Sequence, residues 1–165
     1  MKLSAQEEYG LRCLLQIGRL GEGGSLTIPE ISRLEGISVH HAAKILQILR
    51  QEGYLKSARG QTGGYTLARL PEVIVVGDVL AAMGGRLYEE EFCSQHSGLE
   101  ASCTHTVGCS IRSLWRTVQE AVDGVLSKTT LHDLLERERE IHSVPDALVG
   151  LQPPRPATPL ADQRR

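Results

Sequence analysis

Aromatic side chains are nearly missing: one Trp, one Phe and four Tyr amount to 4% of the 165 residues. A core without them must be built from Leu, Ile, Val and Ala, which suits packed helices better than a sheet sandwich. No stretch approaches the ~20 apolar residues of a membrane span. The first twenty residues carry Glu7, Glu8, Arg12 and Arg19, unlike a secretory leader. These absences predict a cytoplasmic protein with no membrane partner. Catalytic signatures are lacking as well. There is no nucleophile and base constellation, no phosphate-cradling loop and no paired-carboxylate motif, and the glycines of residues 60–64 lack the strand-to-helix context of a nucleotide site. The chain is not expected to be an enzyme. A strong charge of one sign is also absent, since the net charge is -2. The distribution is uneven, however: residues 1–70 hold nine Lys/Arg against six Asp/Glu (+3), and residues 71–165 hold nine against fourteen (-5). The basic end is the candidate nucleic-acid footprint.

What is present along that end reads as three helices. Ser4 is placed to cap a first helix over residues 4–20, with Ala5, Tyr9, Leu14, Leu15 and Ile17 near helical spacing and Gly18 and Gly21 near its stop. Thr27 followed by Ile28 and Pro29 starts a second, which carries Ile31 and Leu34 inward until Gly36. After the Gly36-Ile37 turn, Ser38 caps a third pattern in which Ala42, Ile45, Leu46 and Leu49 face inward, leaving His40, His41, Lys44, Gln47 and Arg50 outward. Two helices across a short glycine turn match a helix-turn-helix, with the third pattern as recognition helix. Gly53 ends that helix, and two strand-like runs follow, Tyr54 to Ala58 and Tyr65 to Ala68, joined by a glycine-rich turn. This is a wing, with Arg59 placed to enter a minor groove or pair with phosphate. The expected DNA contacts are Ser38, His40, His41, Lys44, Arg50, Arg59, Gln61 and Tyr65.

Three of the four cysteines, Cys93, Cys103 and Cys109, share one polar segment that opens onto a long amphipathic pattern. In a reducing compartment such a cluster is more plausibly a ligand set or a group of reactive thiols than a source of disulfides. Thiolates are soft donors that select iron-sulfur clusters, zinc or copper(I). Cys109 opens the next helix, whose N-terminal dipole favours a thiolate. Cys13, among Leu11, Leu14 and Leu15, is a small core residue. From Ser110 to Leu126, the residues Ile111, Leu114, Trp115, Val118, Val122, Val125 and Leu126 line one helical face too long for a small winged helix to cover, so this is the expected dimer helix. Thr129 or Thr130 caps a short final helix, and the Pro-rich residues beyond Pro145 are expected to be a disordered tail.

Taken together, EYGLR at 8–12, ISRLEGIS at 31–38 and ARGQTGGYTLAR at 58–69 resemble the IscR/NsrR/RirA-type bacterial transcription regulators over residues 1–140. The resemblance implies a homodimer in which each winged helix reads half of a pseudo-palindromic operator in double-stranded DNA. It also implies an iron-sulfur cluster on Cys93, Cys103 and Cys109. Two departures stand out. IscR-like members place a histidine ligand three residues after the last cysteine, where this chain has Arg112. NsrR-like members use a carboxylate from the partner subunit's N-terminal region, where Glu8 stands here, so Glu8 is the favoured fourth ligand, with His96 and His105 as rivals. The first cysteine interval is also longer than the family's usual one, which leaves both 2Fe-2S and 4Fe-4S clusters open. The fold expected is mainly α with a small β-wing, a winged helix-turn-helix plus a long C-terminal dimerisation helix. Its parts are a DNA-binding domain over 1–82, a cluster-binding loop over 83–109, a dimerisation and closing region over 110–140 and a tail over 141–165. The expected function is a DNA-binding transcription regulator, a repressor or dual regulator, sensing redox, nitric oxide or iron-sulfur status through the cluster. Two alternatives are the same DNA-binding fold with thiol or zinc sensing, and a protein-binding regulatory subunit of a metabolic enzyme complex.

Overall fold

Three capped helices build the N-terminal half in a computed structural model that describes residues 4–58, 63–86, 88, 92–97, 103, 105 and 108–143. Helix α1 (Ala5–Gly18) starts at Ser4, whose hydroxyl accepts from the Glu7 N–H while the Glu7 carboxylate accepts from the Ser4 N–H. Helix α2 (Ile28–Glu35) repeats this reciprocal cap with Thr27 and Glu30, and Pro29 sits in the first turn, where its missing N–H costs nothing. Gly36, at φ 66°, takes the left-handed conformation that ends α2. Ser38 then caps α3 (Val39–Gln51), accepting from the His41 N–H at 3.1 Å.

The wing is a two-stranded antiparallel sheet, β1 (Leu55–Ser57) and β2 (Tyr65–Leu67), with Leu55 opposite Leu67. Leu26 and Tyr65 exchange backbone hydrogen bonds of 3.1 and 2.8 Å, which ties the base of the wing to the strand-like approach to α2. A 3₁₀ turn (Pro71–Val73) leads into α4 (Val76–Gly84); α5 (Phe92–Gln95), α6 (Ser110–Leu126) and α7 (Leu131–Ser143) follow. Thr130 and Asp133 form a third reciprocal cap at the start of α7. The Leu131 N–H donates to the Ile74 carbonyl at 2.8 Å, so α7 begins pinned to the segment before α4.

The core lies between α1, α3, α4 and the start of α7. Cys13, Leu14 and Ile17 of α1 meet Ile45, Leu46 and Leu49 of α3, Val79 and Met83 of α4, and Leu131 and Leu135 of α7. All four α3 residues expected inward are fully buried. Leu34, expected inward, is instead 49% exposed, because Glu35 occupies the inward position of α2. Its carboxylate lies 2.5 Å from Arg12 Nε and accepts from the Gln16 amide. Two further differences concern length. Helix α4 has no counterpart among the expected elements, and the closing helix runs thirteen residues rather than a short turn or two. The wing tip with Arg59 and Gln61, and the tail beyond Ser143, lie outside the described residues.

Because Leu131 is 1% exposed and anchors α7 on α1, Leu131→Ala is expected to lower the unfolding free energy by about 2–5 kcal/mol in urea titrations. A loss below about 1 kcal/mol would mean that α7 is not part of the cooperative body.

Candidate nucleic-acid interface and cysteine segment

The outer face of α3 follows from its inner one. With Ala42, Ile45, Leu46 and Leu49 buried, the helical period leaves His40, Lys44, Gln47 and Arg50 exposed, and they are. Ser38 is exposed at the helix start, with its hydroxyl engaged by the His41 N–H. His41, read as outward, is half-buried. Its ring meets Tyr9 edge-on at 5.4 Å, and the Arg12 guanidinium lies 5.1 Å over the Tyr9 ring. Tyr65 is also half-buried, packed on the core from β2. Behind the wing, the Arg69 guanidinium lies 5.1 Å over the Tyr54 ring and donates to the Glu52 carbonyl at 3.3 Å, closing the α3 end at Gly53, whose φ is 73°.

The cysteines divide into two environments. Cys13 is wholly buried on α1, and burial, with Glu35 nearby, pushes its thiol up to about 12. Cys93 stands on α5 with the Tyr88 hydroxyl 3.7 Å from its sulfur. Hydrogen bonds from Tyr88 and from the Arg112 guanidinium hold the Cys93 thiol below the ordinary thiol range. Cys109 caps α6, its sulfur accepting from the Arg112 N–H at 3.4 Å. The Arg112 side chain also donates to the His105 carbonyl at 3.4 Å and feels the charge of Cys109. Arg112 therefore gathers Cys93, Cys109 and the His105 backbone at the first turn of α6.

The other expected ligands are Cys103, His96, His105 and Glu8. Cys103 is a free, half-buried thiol. His96 is exposed, its ring stacked on Phe92 at 4.1 Å with Nδ1 2.8 Å from the Phe92 carbonyl. His105 is exposed, and so is Glu8 on the first turn of α1. Among the described residues, no three His, Cys, Asp or Glu side chains are gathered as a metal-ligand set. Sequence reasoning missed Tyr88, Gln119 and Asp123. The available signal was on α6: Arg112, Arg116, Gln119 and Asp123 recur at i, i+4, i+7 and i+11, a polar stripe beside the apolar one.

A three-helix body with an outward third helix and a two-stranded wing defines a winged helix-turn-helix regulator, the architecture that lays its second motif helix in the major groove. The family model described as "Rrf2: Iron-dependent Transcriptional regulator" matches residues 3–137, and the chain belongs to this Rrf2 family of DNA-binding transcription regulators. The transcriptional regulator NsrR of Geobacillus kaustophilus is 35% identical over 144 residues, 87% of this chain and 96% of its own length. Among solved structures, T. potens IscR matches with a TM-score of 0.70 at 26% identity, over 87% of this chain and 93% of that one. CymR, the global cysteine regulator of B. subtilis, matches with a TM-score of 0.67 at 28% identity, over 83% of this chain and 98% of its own. Among the described residues, no helix is long and apolar enough to cross a membrane.

The contrast between the two cysteine environments is measurable by alkylation with peptide mapping across pH. Because its folded-state thiol is lowered, Cys93 is expected to react at pH values below the midpoint found for the unfolded chain, whereas Cys13 stays unlabelled until the protein unfolds. Coincident folded and unfolded midpoints for Cys93 would remove Arg112 and Tyr88 as thiolate partners.

Proposed function

We propose that this chain is a homodimeric repressor that binds a pseudo-palindromic operator and senses redox, nitric oxide or iron-sulfur status through a cluster. Its ligands would be Cys93, Cys103, Cys109 and Glu8 of the partner subunit. The observation that supports this most is that Cys93 and Cys109, sixteen positions apart, both engage Arg112, Cys93 through the guanidinium and Cys109 through the backbone N–H. The donor set fits: Cys93 is biased toward thiolate, Cys109 lies at a helix N-terminus, and all three segment cysteines are free and half-buried. When bound, the cluster supplies iron and sulfide that react with oxygen or nitric oxide.

The chain's own residues do the rest. Arg112 offers positive charge to the sulfurs and, unlike the histidine it replaces, leaves the fourth ligand to another side chain. Glu8 is exposed and thus available to a partner subunit. Ile111, Leu114, Trp115 and Val125 are each at least 42% exposed on one face of α6, an apolar row that a second copy would cover. Its first member lies two residues after Cys109, so the cysteine segment stands at the base of the proposed dimer face. Toward DNA, His40, Lys44 and Arg50 would approach from α3 with Ser38 and His41 at its start, while Arg59, Gln61 and Tyr65 would act from the wing.

The lowered Cys93 thiol also favours a second reading, in which the same fold responds by direct thiol oxidation or zinc binding without a cluster. Anaerobic absorption and circular dichroism of freshly purified protein, with iron and acid-labile sulfide assayed on one sample, separate the two. A cluster gives bands between roughly 320 and 450 nm, lost in Cys109→Ser and kept in Cys13→Ala. Protein that stays colourless after reconstitution sinks the cluster reading in favour of the second. On the DNA side, Lys44→Ala is expected to weaken binding to all sequences alike and reduce the log-log salt slope by about 1, as loss of one phosphate contact does. An unchanged slope would take Lys44 out of the phosphate contacts.

A further inference from the structure

Gln119 is one of two polar side chains buried among the described residues, the other being Glu35, which Arg12 and Gln16 account for. A buried amide needs partners for its acceptor and its donor, and Gln119 has one for each. Its Oε1 accepts from the Tyr88 N–H at 2.8 Å, across 31 positions of sequence, and its Nε2 donates to Asp123 Oδ1 at 2.8 Å. Asp123 in turn pairs through its other oxygen with the Arg86 guanidinium. Two residues just past the end of α4 are therefore fastened to two residues one turn apart on α6. Tyr88 continues the connection, since its ring is buried, lies 5.7 Å from that of Phe92 and brings its hydroxyl to the Cys93 sulfur.

We propose that Gln119 is the positioning residue of the cysteine segment. By fixing the Tyr88 backbone to the middle of α6, it sets where Cys93 stands relative to Cys109, which the same helix carries at its start. The stripe of Arg112, Arg116, Gln119 and Asp123 is then the face of α6 that receives the segment, and the apolar row beside it is left for a second copy. Glutamine suits the position because it accepts from a backbone N–H and donates to a carboxylate at once. Glutamate there could only accept, and leucine could do neither. The consequence for cluster lifetime rests on the cluster reading above; the anchoring does not.

Hydrogen exchange of the full-length, cluster-free protein tests the anchor. In Gln119→Leu, the amides of Tyr88, Phe92 and Cys93 are expected to exchange about tenfold faster, as loss of one buried hydrogen bond predicts, while peptides from α3 are unchanged. Asp123→Asn keeps both the Tyr88 bond and an acceptor for the Gln119 amide, loses only the charge of an exposed ion pair with Arg86, and is expected to stay within about twofold of wild type at the same amides. Wild-type exchange in Gln119→Leu, or equal acceleration in both variants, would overturn the proposal. If α3 peptides lose protection in Gln119→Leu, Gln119→Met takes its place in the same comparison. In cluster-loaded protein, Gln119→Leu is expected to shorten the life of the visible bands in air severalfold with the spectrum of the intact cluster unchanged. Wild type that never forms a cluster defeats the cluster reading alone, and the exchange comparison still decides the anchor.

Discussion

Burial of α1 between its neighbours is the constraint on which the rest of the structure depends. Cys13, Leu14 and Ile17 are at most 1% exposed, and α1 touches α2, α3, α4 and α7. A helix can be approached closely from several sides only where side chains are small. Gly10 and Gly18 supply those places. A Cβ on Gly10 would lie 2.8 Å from Met83 Cε, and one on Gly18 would lie 3.0 Å from Leu135 Cδ1, so α4 and α7 reach into space that any other residue would occupy. The outcome is that one helix supports both candidate regions. Its side toward α3 sets the recognition helix, and its side toward α4 sets the element that runs out into Arg86, Tyr88 and the cysteines.

The Arg12 and Glu35 pair adds direction to that packing. The Glu35 side chain is 3% exposed and Arg12 is 41% exposed, so the carboxylate carries most of the desolvation and the guanidinium remains partly hydrated. Such a pair adds little net stability over an apolar substitute, because desolvation offsets the attraction. What it does add is geometry. Glu35 is the last residue of α2, immediately before the Gly36 turn, and Arg12 also reaches its backbone carbonyl at 3.4 Å. The angle between the two motif helices is thereby referred to α1, and Tyr9, under the same guanidinium, carries the contact on to His41 at the start of α3.

Legibility from sequence tracked the range of the interaction that fixes each feature. Caps at Ser4, Thr27, Ser38 and Thr130 depend on partners three residues away, and all four form. The inner face of α3 is fixed by a single period and was equally readable. Leu34 and Glu35 were not, because position 34 is the apolar one and only the remote Arg12 makes burial of a carboxylate tolerable. Helix α4 was hidden by its composition: VGDVLAAMG is apolar nearly all round, so periodicity has little contrast to detect, and what buries it is contact with α1, α3 and α6. The length of α7 was masked by the charged run EREREI, whose solvated face offers no apolar stripe. In the cysteine segment, the thiols themselves were evident, whereas Tyr88 and Gln119 are joined across 31 residues and have no local signature.

The division of α6 into two stripes bears on how a segment of polar loop could influence DNA at all. A bound group shifts a conformational equilibrium only through contacts that differ between the states. The cysteine segment makes its described contacts to α6 through Arg112, Gln119 and Asp123, none of which lies on the outer face of α3. Besides the continuous chain from α4, which packs on α1 and α3, the route for any influence among the described residues is α6. That helix is only lightly held by its own chain, since its apolar row is exposed and its tie to the core runs through α4 and the bond from Val76 to Thr129 at 2.9 Å. In the proposed dimer, the tilt of α6 would set how far apart the two recognition helices stand. Because operator half-sites sit at a set helical spacing, a change of about a few ångströms in that separation would favour or oppose simultaneous docking of the proposed dimer.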